Sequence, residues 1–160
     1  MANVQESFLK CLSKSLDQCA SIDYSKQQGW FPEDGQYNLR FIGLSDPQEG
    51  DASKSRDGEP FYFIGTTFEI IDGPNAGKQF RDRPMYFRDS DANNDGATID
   101  QERLCRLATV VSGEEQHDAA QAFMVARGQV GKVSLAASVK RKISPSNGKE
   151  YANLYLNSRL

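Results

Sequence analysis

Histidine is almost missing from this chain: His117 is the single one in 160 residues. It lies in a polar stretch, which supports neither a histidine-ligated zinc centre nor a histidine-based catalytic triad. Cysteine is scarce too. Cys11, Cys19 and Cys105 form no CxxC pair and leave an odd thiol, a pattern that fits a reducing cytoplasm better than a disulfide scaffold. No apolar run approaches the length that crosses a bilayer, and the N-terminus lacks a signal-peptide pattern. Neither GxGxxG nor a P-loop is present. GPNAGK (residues 73–78) reads as turn chemistry rather than a phosphate cradle. Acid pairs such as Asp82 and Asp89 have no histidine or metal constellation beside them, so a nuclease or other enzyme is not expected. No cofactor and no membrane partner are implied.

What is present is an uneven charge distribution. The net charge is −3, but residues 121–160 carry seven basic groups against one acid, a local +6. The first 120 residues carry twelve basic and 21 acidic groups, a local −9. Screening confines each patch's field to roughly 10 Å, so a basic stripe attracts polyanions even on an acidic protein.

That stripe lies on a hairpin. In GKVSLAASVKRKI (131–143), Val133, Leu135, Ala137 and Val139 alternate with Lys132, Ser134, Ser138, Lys140 and Lys142. After SPSNG, the return run KEYANLYLN alternates Ala152, Leu154 and Leu156 with Tyr151, Asn153, Tyr155 and Asn157. Period-2 alternation on both sides of Asn147-Gly148 predicts a β-hairpin with a tight turn. One face is aliphatic; the other sets ammonium groups beside tyrosine rings. Cations that follow phosphates, next to rings that stack bases, suit sequence-tolerant binding of single strands. The same face also reads as an ordinary solvated strand surface.

Upstream, Val4, Phe8, Leu12, Leu16 and Cys19 recur at helical spacing, predicting an amphipathic helix within residues 1–24 that caps the domain or docks a partner. Strands are expected at GQYNLRFIGL (35–44), PFYFIGTTFEII (60–71, with Gly65 as a bend) and KQFRDRPMYF (78–87, with Pro84 marking an irregularity). The polar stretch 45–60 reads as a loop. Thr98-x-x-Gln101 and Ser112-x-x-Glu115 read as capping boxes that start helices at about 99–111 and 113–127. DANNDGATIDQE (91–102) also has acids and a glycine near calcium-loop spacing, but Thr98 stands where that loop needs an apolar residue, and the capping box accounts for it without a metal.

Three strands, a helical insert, then two strands is the order of an OB barrel. The expectation is therefore a mainly β (α+β) single domain over 1–160: a five-stranded OB-like barrel with an N-terminal helix, a two-helix insert at 98–127 between strands three and four, and a C-terminal hairpin at 130–157. Arg40, Lys132, Lys140, Arg141, Lys142 and Lys149 are the phosphate candidates. Tyr62, Tyr151 and Tyr155 are the stacking candidates, with Tyr86 read as sharing the face of Tyr62, and Trp30 reads equally as a core plug or a ligand-facing ring.

GQYNLRFIGL, the strand and turn TTFEIIDGPNAGKQF, and VGKV followed by NGKEYANLYL together resemble a family of small phage-borne OB-fold proteins that bind single-stranded DNA in replication and recombination modules. The resemblance implies sequence-independent single-stranded DNA binding in the host cytoplasm. It also implies a partner recombinase, helicase or nuclease, with homo-oligomerisation open. The competing expectation is a non-enzymatic protein-interaction or virion-associated module on the same barrel.

Overall fold

The computed structural model describes residues 30–50, 58–88, 90–91 and 95–160; the expected N-terminal helix lies outside them. Strands β1 (Gly35–Leu44), β2 (Gln48–Gly50), β3 (Phe61–Ile64), β4 (Thr66–Ile70), β5 (Gln79–Arg81) and β6 (Met85–Arg88) come first. Helices α1 (Ile99–Ser112) and α2 (Ala119–Gly128) follow, then β7 (Ser134–Ile143) and β8 (Glu150–Arg159). All strand pairings are antiparallel, in a five-stranded sheet ordered β5-β4-β1-β7-β8 and a three-stranded sheet ordered β2-β3-β6.

The two sheets share three runs of chain. The expected strand 60–71 breaks at Gly65 into β3 and β4, one in each sheet. Ser45 fastens the break: its hydroxyl accepts the Gly65 N–H at 2.7 Å, and its own N–H donates to the Gly65 carbonyl at 2.9 Å. The third expected strand breaks likewise at residues 82–84, around Pro84, into β5 and β6. Each run thus turns from one sheet into the other, and the core fills the angle between them. Leu39, Phe41, Ile64, Phe68, Ile70, Phe80, Met85 and Leu135 meet Leu104, Leu107, Val111, Ala122 and Ala126 of the helices there.

The expected closure into a five-stranded barrel is not made. The large sheet is open, with β5 and β8 as its edges. Helix α1 packs against both β6 and β8, and its side chains reach backbone on either side. Asp100 accepts the Tyr86 N–H at 3.0 Å, and Arg106 Nε donates to the Leu156 carbonyl at 3.1 Å.

Thr98 starts α1 as its spacing predicts, with a reciprocal capping box to Gln101. The second helix is a correction. Ser112 is the last residue of α1, and its hydroxyl bonds the backbone of Glu114. Gly113 ends the helix at φ 76°, a left-handed conformation that suits glycine. Asp118, six residues later than expected, is the N-cap of α2. Asp91 accepts the Arg88 N–H at 2.8 Å, and residues 92–94 of the calcium-like stretch lie outside the described residues. No described helix is long and apolar enough to cross a membrane.

Arg103 anchors α1 to the β5–β6 bend. Its guanidinium donates to the Asp82 carboxylate at 3.1 Å, the Asp100 carboxylate at 2.9 Å, and the carbonyls of Arg83 and Pro84 at 2.7 and 3.3 Å. Burial pushes the Asp82 carboxyl above the usual carboxylate range, and Arg103 opposes that rise. Replacing Arg103 by Met leaves the largely buried Asp82 carboxylate with the Arg83 N–H at 2.8 Å but without its guanidinium partner, and is expected to cost about 3 kcal/mol, read as a lower urea midpoint. Without the guanidinium the folded-state pKa of Asp82 rises further, so the folded protein takes up a proton before the unfolded chain does. The destabilisation should therefore shrink as pH falls from neutral toward about 5.

Candidate nucleic-acid interface

The C-terminal hairpin forms with the expected alternation. Val133, Leu135, Ala137 and Val139 are all buried. The turn differs: residues 144–149 form a six-residue loop between Ile143 and Glu150. The Asn147 side chain accepts the Lys149 N–H inside it, and Gly148 takes φ 68°.

On the outward face of β7 and β8, Lys142 lies opposite Tyr151, Lys140 opposite Asn153, and Ser138 opposite Tyr155. The Lys142 ammonium stands 5.8 Å from the centroid of the Tyr155 ring. Both tyrosines are exposed, at 39% and 40%. Neither Lys140 nor Lys142 makes an ion pair among the described residues. The same face continues across the sheet through small and polar side chains: Ser134, Ala136 and Ser138 on β7, opposite Arg40, Asn38 and Gln36 on β1.

The remaining candidates separate. Arg141 has the opposite parity and turns to the other face, where its N–H and Nη1 both donate to Asp34 at 3.0 and 3.2 Å, with Glu150 at 3.9 Å. Its charge is already matched by acids. Arg40 is exposed on the outward face but lies directly opposite Glu69. Lys132 is exposed in the turn before β7, and Lys149 sits in the 144–149 loop. Tyr62 belongs to the other sheet, where it lines an apolar groove of about 250 Å³ with Pro47, Ile64, Phe87, Leu104 and Phe123.

Trp30 is shared between the two readings. Its ring meets Phe80 edge-on at 6.5 Å, yet it is 40% exposed with the Lys78 ammonium 4.8 Å over its face.

On the three-stranded sheet Tyr86 does not share a face with Tyr62, and it joins two rings that the sequence reading did not single out. Phe61, Phe63 and Tyr86 stand with centroids 5.9–6.4 Å apart on the face opposite Tyr62, and Tyr86 is 47% exposed. In FYFI both parities carry rings, so alternation alone does not say which set faces outward. The signal that separates them is Ile64, buried on the Tyr62 side. Comparison with known protein families, curated proteins and solved structures found no match to this chain.

The Phe61 ring rests on Gly50: a Cβ built there would fall 2.0 Å from Phe61 Cε2. Gly50→Ala is expected to displace the ring and destabilise the fold by about 1–3 kcal/mol, measured as a drop in the denaturation midpoint.

Proposed function

We propose that this chain is a non-enzymatic, sequence-independent single-stranded DNA-binding protein on an OB-type scaffold, of the phage replication and recombination class that its sequence resembles. The observation that carries the reading is the outward face of the hairpin: Lys140 and Lys142, without acidic partners among the described residues, beside the exposed rings of Tyr151 and Tyr155. The ammonium groups follow phosphates, while the rings stack bases regardless of sequence, each contributing ~1–3 kcal/mol. Joining the paired strands across the sheet bends yields five strands, the first three of them bent, with α1 packed against β6 and β8, in keeping with a partly open OB barrel. Work in the host cytoplasm beside a recombinase, helicase or nuclease belongs to the same proposal.

The second reading, a protein-interaction module, draws on the apolar groove beside Tyr62. Nucleic acid and protein would then use different faces.

A mobility-shift titration with labelled oligothymidine tests the first reading. Binding should exceed that to duplex and weaken as salt rises. The absence of a shift at low salt with micromolar protein would favour the interaction module. Changing Lys140 and Lys142 together to Ala should flatten the log–log salt slope by about 1.4, at roughly 0.7 per lost contact on a single strand. Tyr155→Ala should lower affinity roughly 5- to 150-fold with little change in slope, since a stacked ring releases no counterion. Unchanged affinity in a folded double-lysine variant would show that the face is merely solvated.

A further inference from the structure

The outer edge of β8 has hydrogen-bonding groups that nothing described here satisfies. The Ser144 N–H donates to the Lys149 carbonyl at 2.8 Å, which sets the phase of the ladder. Lys142, Lys140 and Ser138 therefore exchange bonds with Tyr151, Asn153 and Tyr155. Glu150, Ala152 and Leu154 point their N–H and C=O groups the other way, off the sheet. Among the described residues these groups have no partner, and no strand lies beyond β8. The next outward carbonyl, Leu156, is occupied by Arg106, and Arg159 Nη1 reaches the Ser112 carbonyl further along. Helix α1 thus covers the second half of the edge and leaves the first half open.

Open edges are usually guarded by lysine, proline or a bulge. Residues 151–155 contain neither lysine nor proline, and the β8 bulge lies beyond them, between the partners of Ala136 and Ala137. We propose that this edge pairs with the same edge of a second copy of the chain, antiparallel and two-fold symmetric about Ala152. Ala152 faces Ala152 of the second copy, and Glu150 faces its Leu154. About six hydrogen bonds form, two for each narrow pair, and the interface is isologous.

Two features of the β8 edge choose this occupant and this register. Only pairing about Ala152 uses all three free residues and stops short of Leu156, which Arg106 already holds. The charges also complement each other. Glu150 shares its side of the sheet with Leu154 and Leu156, the side on which α1 lies. Opposite Leu154, the second copy's Glu150, held in its own chain only by a long 3.9 Å contact to Arg141 among the described residues, is a diagonal neighbour of Leu156 and faces the exposed Arg106 guanidinium. The two-fold axis makes this contact twice. Because such an axis stands perpendicular to the sheet, both lysine–tyrosine faces emerge on the same side; their joint use by one DNA strand rests on the proposed function, whereas the association itself does not.

Sedimentation equilibrium without nucleic acid, from about 1 to about 200 µM protein, tests the pairing at the range of weak self-association. The full chain should move from monomer to dimer across that range. Ala152→Pro removes an N–H that points away from β7, a placement edge strands tolerate, and should remain monomeric with an unchanged circular dichroism spectrum. Arg106→Glu should weaken association about tenfold, the scale of two partly exposed ion pairs, and adding Glu150→Arg should restore it. A monomeric wild-type chain at the highest concentration would overturn the proposal. So would a folded Ala152→Pro variant that associates like wild type. Should Ala152→Pro fail to fold, association unaffected by Arg106→Glu would overturn it.

Discussion

The guanidinium of Arg103 holds the two sheets and the helical layer in one arrangement. It sits where the chain leaves β5, turns at residues 82–84 and enters β6, and it satisfies two carbonyls and one carboxylate of that turn while also bonding Asp100 on its own helix. Asp100 in turn accepts the Tyr86 N–H. Any movement of α1 away from the bend would strand a buried carboxylate and unpair backbone groups together. Such groups are costly to leave unsatisfied, so α1 stays in the gap and the sheet stays open. The groove beside Tyr62 and the position of Arg106 at the β8 edge both follow from that placement.

Bending the strands solves a packing problem for a chain of this size. A flat five-stranded sheet would leave one whole face for two short helices to cover. Turning each of the first three runs from one sheet into the other wraps β-structure around two sides of the core, and the helices close a third. The bends fall where the backbone permits them, at Gly65 and around Pro84. Bending has a consequence for chemistry: residues three positions apart on one run can face quite different surroundings, as Tyr62 in the small sheet and Gly65 at the break do.

Alternation in the hairpin was the most legible part of the sequence, because Leu135, Ala137 and Val139 share one parity of β7 and are all buried. The Thr98 capping box was equally readable, since its two side chains lie within one turn of each other. Ser112-x-x-Glu115 misled for a physical reason. A helix already running from Ile99 needs Gly113 in a left-handed conformation to stop, and Ser112 is spent in that stop rather than in a new start. Arg141 shows the same limit at the site. Counting charge placed it with its lysine neighbours; strand parity and the distant Asp34, 107 residues away in sequence, removed it from them. Barrel closure was illegible because it depends on whether β-structure or a helix fills the gap, a contest settled by contacts between segments far apart in the chain.

Taking Arg141 out of the exposed set sharpens the local electrostatics. The basic excess of the last forty residues is +6 in the sequence, but a ligand approaching the outward face meets side chains and not the sum. Asp34, at 3.2 Å from Arg141, and Glu150, at 3.9 Å, lie with that side chain on the other side of the sheet, so they do not neutralise Lys140 and Lys142. Among the described residues no acid pairs with those two ammonium groups, and their field reaches Tyr151 and Tyr155 within a screening length of roughly 10 Å. The acids of the remaining chain set the net charge of −3, and at ordinary ionic strength those beyond that distance have little influence here. An acidic protein with a basic hairpin face is therefore no contradiction: on the hairpin, parity puts Lys140 and Lys142 on one side of the sheet and Arg141 with its acids on the other.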